Sequence, residues 1–185
     1  MSSAMAGKRK ARAPSRPVQA AVESIPPGRL HRAHVAVVMA TLVLAVVGIG
    51  VAGYLLIVRV QGSSPVCVAT HGCATVQNSV YSKIMGIPVA VPGLGMYVAL
   101  AAASVAWLRN VRTLRPQITF LAFNGALFGV LFSGYLTYLE AFVIDAWCVY
   151  CIVSASLLSL LLLAWVAVLV PTLRARREEG RGKRE

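Results

Sequence analysis

Four cysteines stand in two close pairs: Cys67 and Cys73 in the string Cys67-Val68-Ala69-Thr70-His71-Gly72-Cys73, and Cys148 and Cys151 in Cys148-Val149-Tyr150-Cys151. Two thiol pairs in one chain can hand oxidation from one to the other, because a thiolate attacks a disulfide sulfur and releases its partner through a mixed disulfide. Residues three apart in a helix lie on one face, so Cys148 and Cys151 can meet each other and face a common ligand. At a helix N-terminus the unpaired N–H groups and the macrodipole favour the thiolate, which is the nucleophile. The other pair encloses five residues and has Gly72 directly before Cys73, a flexible arrangement suited to reversible oxidation. A shuttling pair and a terminal pair form a relay. Plainer uses of the same residues are two small apolar side chains in a core for Cys148 and Cys151, and a static staple for Cys67 and Cys73. A four-thiol metal site, with or without His71, is disfavoured because zinc sites use C-x₂₋₄-C spacings and the first pair is wider. No metal is expected, and His71 reads as a solvated loop residue.

The elements that must position these thiols follow from composition. Of 185 residues, 58% are hydrophobic and 13% charged, where soluble chains carry roughly 25% charge. The apolar residues fall in four uncharged runs, 35–58, 84–108, 116–139 and 146–173, each 24 to 28 residues long. About 20 helical residues cross a hydrocarbon layer of about 30 Å, so each run is long enough to span it. The expected fold is all-α, an integral membrane four-helix bundle. This argues against a soluble enzyme, a fibre, a disordered chain and a peripheral membrane protein.

A formal net charge of +12 would suggest nucleic-acid binding in a soluble protein, but its distribution says otherwise. Seven Lys and Arg precede the first run; Arg109, Arg112 and Arg115 fill the connection between the second and third; six follow the fourth. Only Arg59 and Lys83 remain for the other connections. Such a bias obeys the positive-inside rule and puts both termini in the cytoplasm. The first and third connections then face outward, which brings all four thiols to the extracytoplasmic face, where disulfides persist in a bacterial cell. The expected location is the bacterial inner (plasma) membrane, and no nucleic-acid partner is expected.

Residues 1–34 have no apolar periodicity and are expected to form a disordered basic cytoplasmic tail. They are not expected to be a signal peptide, because the first run starts too late, is too long and lacks a small-residue cleavage site. Residues 174–185 form a second basic cytoplasmic tail, a frayed helical end or disordered. Pro88 and Pro92, beside Gly86, Gly93 and Gly95, interrupt the second run. The part before Pro88 is therefore expected to be a separate short helix or re-entrant piece. The membrane domain covers 35–173, with spans at about 35–58, 88–108, 116–139 and 147–171.

The ordered combination of the loop pair, Asn78-Ser79-Val80-Tyr81-Ser82, Gly86-Ile87-Pro88, Tyr138 and Ala146-Trp147-Cys148-Val149-Tyr150-Cys151 resembles the bacterial vitamin K epoxide reductase family over about residues 35 to 172. The resemblance implies a bundle around a quinone, menaquinone or ubiquinone, capped by an extracytoplasmic loop and short helix. It implies that a separate, secreted thioredoxin-like (DsbA-like) protein delivers electrons to Cys67, that Cys73 attacks Cys148, and that Cys151 faces the quinone. The partner is expected to be a separate protein because only about a dozen residues follow the fourth span. Ser79 matches the family's loop serine or threonine, supporting the site through a hydrogen bond; a helix cap is its plainer role.

The animal members of the family carry a quinone-bonding tyrosine four residues after the second helix cysteine, where Ala155 stands here. A polar contact from elsewhere would come from Tyr138, Tyr135 or Asn124, each also suited to interhelical packing. Trp147 is a candidate for the quinone mouth, although aromatic anchoring at the interface is the usual role of Trp147 and Tyr150. Glu140 and Asp145 flank the third connection; they could assist proton uptake, but a solvated loop is the expectation. Two other readings stay open. A DsbB-type oxidase would keep both pairs in outward loops, which the entry of Cys148 and Cys151 into an uncharged run opposes. A metal-binding or structural membrane protein would hold its cysteines static.

Overall fold

The computed structural model describes residues 27–67, 72–109 and 114–182. The expectations for residues 1–26, for His71 and for 183–185 lie outside the described residues. The chain divides into two units, Met1–Ala33 and His34–Glu185, and the packing described below belongs to the second.

In chain order the elements are α1 (Pro27–Val60), a short α2 (Cys73–Asn78), a 3₁₀ turn (Val80–Ser82), β1 (Lys83–Ile84), β2 (Ile87–Pro88), α3 (Ala90–Arg109), α4 (Arg115–Leu139), a π-helical turn (Glu140–Ile144) and α5 (Val149–Gly182). Four segments are long and apolar enough to cross a membrane: Arg32–Val60, Ala90–Arg109, Arg115–Ile144 and Val149–Arg174. The chain is thus an all-α helical bundle and a multi-pass membrane protein.

Packing follows the rules of a lipid solvent. Hydrocarbon tails are as apolar as leucine, so helices gain most by letting backbones approach through small residues. Ala45 and Ala52 on α1, with Ala122 and Ala126 on α4, are buried, while Phe120, Leu121, Phe128 and Leu131 point outward. Gly48 is the tightest approach, since a Cβ there would sit 2.3 Å from the Tyr97 ring. Thr41 and Ser104, both fully buried, bridge α1 and α3 with a 3.0 Å hydrogen bond between hydroxyls.

The segment before Pro88 differs from expectation. It forms an antiparallel hairpin in which Ile84 faces Ile87. Met85 (φ 51°) and Gly86 (φ 83°) make its two-residue turn, and paired positive φ values match the twist of a hairpin. A short helix lies earlier, α2 at Cys73–Asn78. Pro92 falls in the first turn of α3, where a missing N–H costs nothing. At the other end α5 stays helical past Arg174, and the Thr172 hydroxyl donates to the Leu169 carbonyl (2.6 Å) beside Pro171.

Candidate functional site

The thiols gather at one end of the bundle. Cys67 and Cys73 are joined as a disulfide with Cα atoms 6.1 Å apart. Cys67 is half-buried, whereas Cys73, the first residue of α2, is fully buried. Two tyrosines hold the segment leading to Cys67: Tyr150 Oη donates to the Val66 carbonyl (2.6 Å), and the Val66 N–H donates to Tyr54 Oη (3.2 Å). Gly72 permits the next step, because a Cβ there would lie 2.7 Å from both the backbone N and O of Trp147. That approach seats α2 on the link preceding α5. At the other end of α2, Arg59 donates to the Gln77 carbonyl, to Asn78 Oδ1 (3.1 Å) and to Ser82 Oγ (3.5 Å). A cation at a helix C-terminus satisfies carbonyls that have no partner within the helix.

Cys148 stands just before α5 and caps it, its carbonyl accepting from the N–H groups of Cys151 (3.1 Å) and Ile152 (3.2 Å). Its own N–H donates to Glu140 Oε2 (3.1 Å). Cys148 precedes the membrane-crossing stretch that starts at Val149. Its thiol is brought down to about 7, chiefly by the hydrogen bond from the Cys151 side chain, with help from the N–H groups of Cys151 and Tyr150 and against burial and the Glu140 carboxyl. Cys73, Val76 and Cys148 form one buried cluster, against which Cys67, Cys151 and Tyr150 pack. The two pairs therefore share a single core. Among the described residues no three His, Cys, Asp or Glu side chains form a metal-holding group.

Beside this core lies a cavity of about 270 Å³, lined by Cys151, Glu140, Tyr97, Ser154, Ser79 and mostly apolar neighbours from α1, α3 and α4. Its size is close to the lower end of ligand pockets, which run from roughly 300 Å³. An apolar slot with hydroxyls and a thiol on its wall fits a flat ring bearing two carbonyl oxygens. Tyr97 is fully buried, and its hydroxyl meets Ser154 Oγ (2.8 Å) and the Ser154 carbonyl (3.1 Å).

Of the residues singled out in sequence, the structure brings Cys67, Cys73, Cys148 and Cys151 together and sets Ser79 on the cavity wall. The Ser79 hydroxyl donates to the Val76 carbonyl (2.7 Å), so it both closes α2 and faces the cavity. Asn124, Tyr138 and Trp147 do not line the cavity. Asn124 is exposed and donates to its own helix at the Phe120 carbonyl; Tyr138 is exposed against Phe142; Trp147 is exposed and approaches Gly72 through its backbone. Tyr135 is exposed as well.

Glu140 overturns the expectation of a solvated loop: it is 3% exposed, while Asp145 is exposed. The cause is the π-helical turn. It ends α4 with Asp145 in the left-handed region, and the N–H groups of Asp145 and Ala146 both reach the Glu140 carbonyl. The extra residue in that turn tucks the Glu140 side chain under the link to α5. Tyr97 and Ser154 had weak signals only, a tyrosine inside an apolar run and a serine three residues after Cys151, on its face of the helix.

The fold and this end of it define a membrane oxidoreductase whose chemistry is thiol–disulfide exchange next to an apolar cavity. The model of the Vitamin K epoxide reductase family matches residues 39–167, and the chain belongs to that family. It is accordingly a quinone-linked oxidoreductase acting on thiols and disulfides, of a family that works in general with a thioredoxin-like partner. No curated protein gives a significant match to the chain.

Proposed function

We propose that the chain reoxidises a separate, extracytoplasmic thioredoxin-like protein and passes the electrons to a membrane quinone, menaquinone or ubiquinone. A partner thiolate attacks the half-buried Cys67 and releases Cys73 as a thiolate. Cys73 attacks Cys148 of an oxidised Cys148–Cys151 pair, forming the Cys73–Cys148 bond and freeing Cys151 as a thiolate. The partner's second thiolate then attacks the partner sulfur bonded to Cys67, releasing oxidised partner and freeing Cys67. Cys67 attacks Cys73, re-forms the Cys67–Cys73 disulfide and leaves both electrons on the helix pair, two thiols once the partner's two protons are taken up. A low-pKa leaving thiol departs faster, and the Cys148 thiol, brought down to about 7, is suited to that departure. The bound quinone supplies a two-electron acceptor. Tyr97 and Ser154 are the groups we assign to hold a quinone oxygen where Ala155 offers none, with Ser79 supporting the cap.

The observation that carries this reading is the joint burial of Cys73 and Cys148 in one cluster, with Cys151 next to them on the cavity wall. The domain layout goes with it: a membrane domain over 35–173 between two cytoplasmic basic tails, its thiol end extracytoplasmic in a bacterial inner membrane, a topology supported by the charge asymmetry. Trapping tests the order of attack. In Cys151→Ala protein, a Cys73–Cys148 mixed disulfide accumulates and is seen by mass mapping. Its absence in a sample that still binds quinone would overturn the order.

A further inference from the structure

We propose that Glu140 is the proton carrier of this site, taking protons from the helix cysteines and delivering them to the quinone. Quinone reduction needs two protons as well as two electrons, and the helix pair releases both protons when two thiols become a disulfide. The site must therefore move protons from sulfur to oxygen inside an apolar bundle. Glu140 is the one carboxyl among the described residues lining the cavity. It is held rather than adrift, since Oε2 accepts the Cys148 N–H (3.1 Å), and it shares the cavity wall with Cys151. A carboxyl brought to 3% exposure is costly unless bonded, and this bond comes from the redox pair. The other titratable groups on the cavity wall are Tyr81 from the 3₁₀ turn, Tyr97 from α3, and Tyr150 and Cys151 from α5. No Lys, Arg, His or Asp is among the described lining residues.

The balance closes on this chain's own groups. The Cys148 thiol gives its proton to the Glu140 carboxylate bonded to its own N–H, which passes it on to a quinone oxygen and returns to carboxylate. The Cys151 thiol, on the same cavity wall as Glu140, then gives up its proton to Glu140 as the two sulfurs join, and Glu140 delivers it in the same way. The two sulfurs join, two electrons enter the quinone, and the products are one disulfide and one quinol. This assignment rests on the proposed function, and the experiment separates the two.

Full-length protein in detergent is reduced, freed of excess reductant and mixed with a soluble short-chain benzoquinone, and Cys148–Cys151 disulfide and quinol are followed together across pH. Positioned acid–base groups contribute about 10²- to 10⁴-fold, so Glu140→Gln is expected to slow reoxidation at least about 100-fold and to lose the wild-type pH profile. Glu140→Asp recovers part of the rate. Glutamine keeps an oxygen for the Cys148 N–H, so the midpoint of thermal unfolding and the quinone-free Cys73–Cys148 trapping should match those of the parent. In quinone-free protein, reducing the pair with dithiothreitol should change a carboxyl infrared band that Glu140→Gln lacks. A Glu140→Gln rate within about threefold of wild type and an unchanged pH profile would overturn the relay and leave Glu140 a structural cap. If wild-type protein itself is not reoxidised by quinone, the proposed function fails instead.

Discussion

The two ends of the bundle bury polar groups differently. At the end away from the cysteines, the Thr41 hydroxyl bonds the Val38 carbonyl and Ser104, while Thr119 bonds the Arg115 carbonyl. Those groups satisfy one another or their own helix. At the cysteine end, Glu140, Tyr97 and Ser79 make comparable bonds but also face a cavity. The backbone there is irregular too, with a 3₁₀ turn, a hairpin, a π-helical turn and two non-glycine residues at positive φ, Met85 and Asp145. Regular helix suffices where the task is packing in lipid. Departures from it collect where side chains must be aimed, as π-bulges often do at functional sites.

The largest effect is expected at Gly72. A β-branched side chain there would collide with the Trp147 backbone, which cannot swing aside as a flexible side chain would. Since a misplacement of about 1 Å can cost about 100-fold in rate, Gly72→Val should lower thiol transfer from the partner by about that factor. Reoxidation of the helix pair by added quinone should survive, since α4 and α5 keep their packing. Equal loss of both rates would mean that the two pairs are not separable parts.

A smaller effect concerns pH. With Cys148 brought down to about 7, its thiolate predominates above that pH and is lost as pH falls through it. In a Cys67→Ser/Cys73→Ser background, labelling of Cys148 by iodoacetamide should therefore rise half-maximally near pH 7. Cys151→Ala removes the largest stabilising contact and should move that midpoint upward, toward the ordinary 9.0. A midpoint that stays put would assign the effect to the helix N-terminal N–H groups alone.

The smallest effect is expected at the far end. Interhelical hydrogen bonds in membrane proteins average about 0.6 kcal/mol, so Thr41→Val should cost about that much in a denaturation titration. It should leave thiol transfer and quinone reduction unchanged. A catalytic loss from Thr41→Val would erase the distinction between the two ends.

Much of this was legible before any coordinates. Run length and charge made four spans plain, because a bilayer imposes the same length on every crossing helix. The cysteine pairs were legible because thiols are few and their chemistry depends on type and spacing. Glu140 was not. A carboxyl in a short connection between two apolar runs normally stays in water, and only the π-helical turn of Glu140–Ile144 carries it inward. Asn124 and Tyr138 stand out in sequence as polar residues in an apolar span, but neither lines the cavity.

The order of the amino acids is thus enough to establish the solvent of this protein, its number of spans, and the presence of two sulfur pairs in a recognisable order. These depend on composition and spacing, which survive any packing. The tertiary structure alone decided that Cys73 and Cys148, 75 residues apart, share one core, and that Tyr97, Ser154 and Glu140 rather than the span-three candidates face the cavity. A helix apolar on all sides carries no moment to orient it. Which face turns inward is settled by close contacts such as Gly48 on Tyr97 and Gly72 on Trp147, and these exist only once the helices meet.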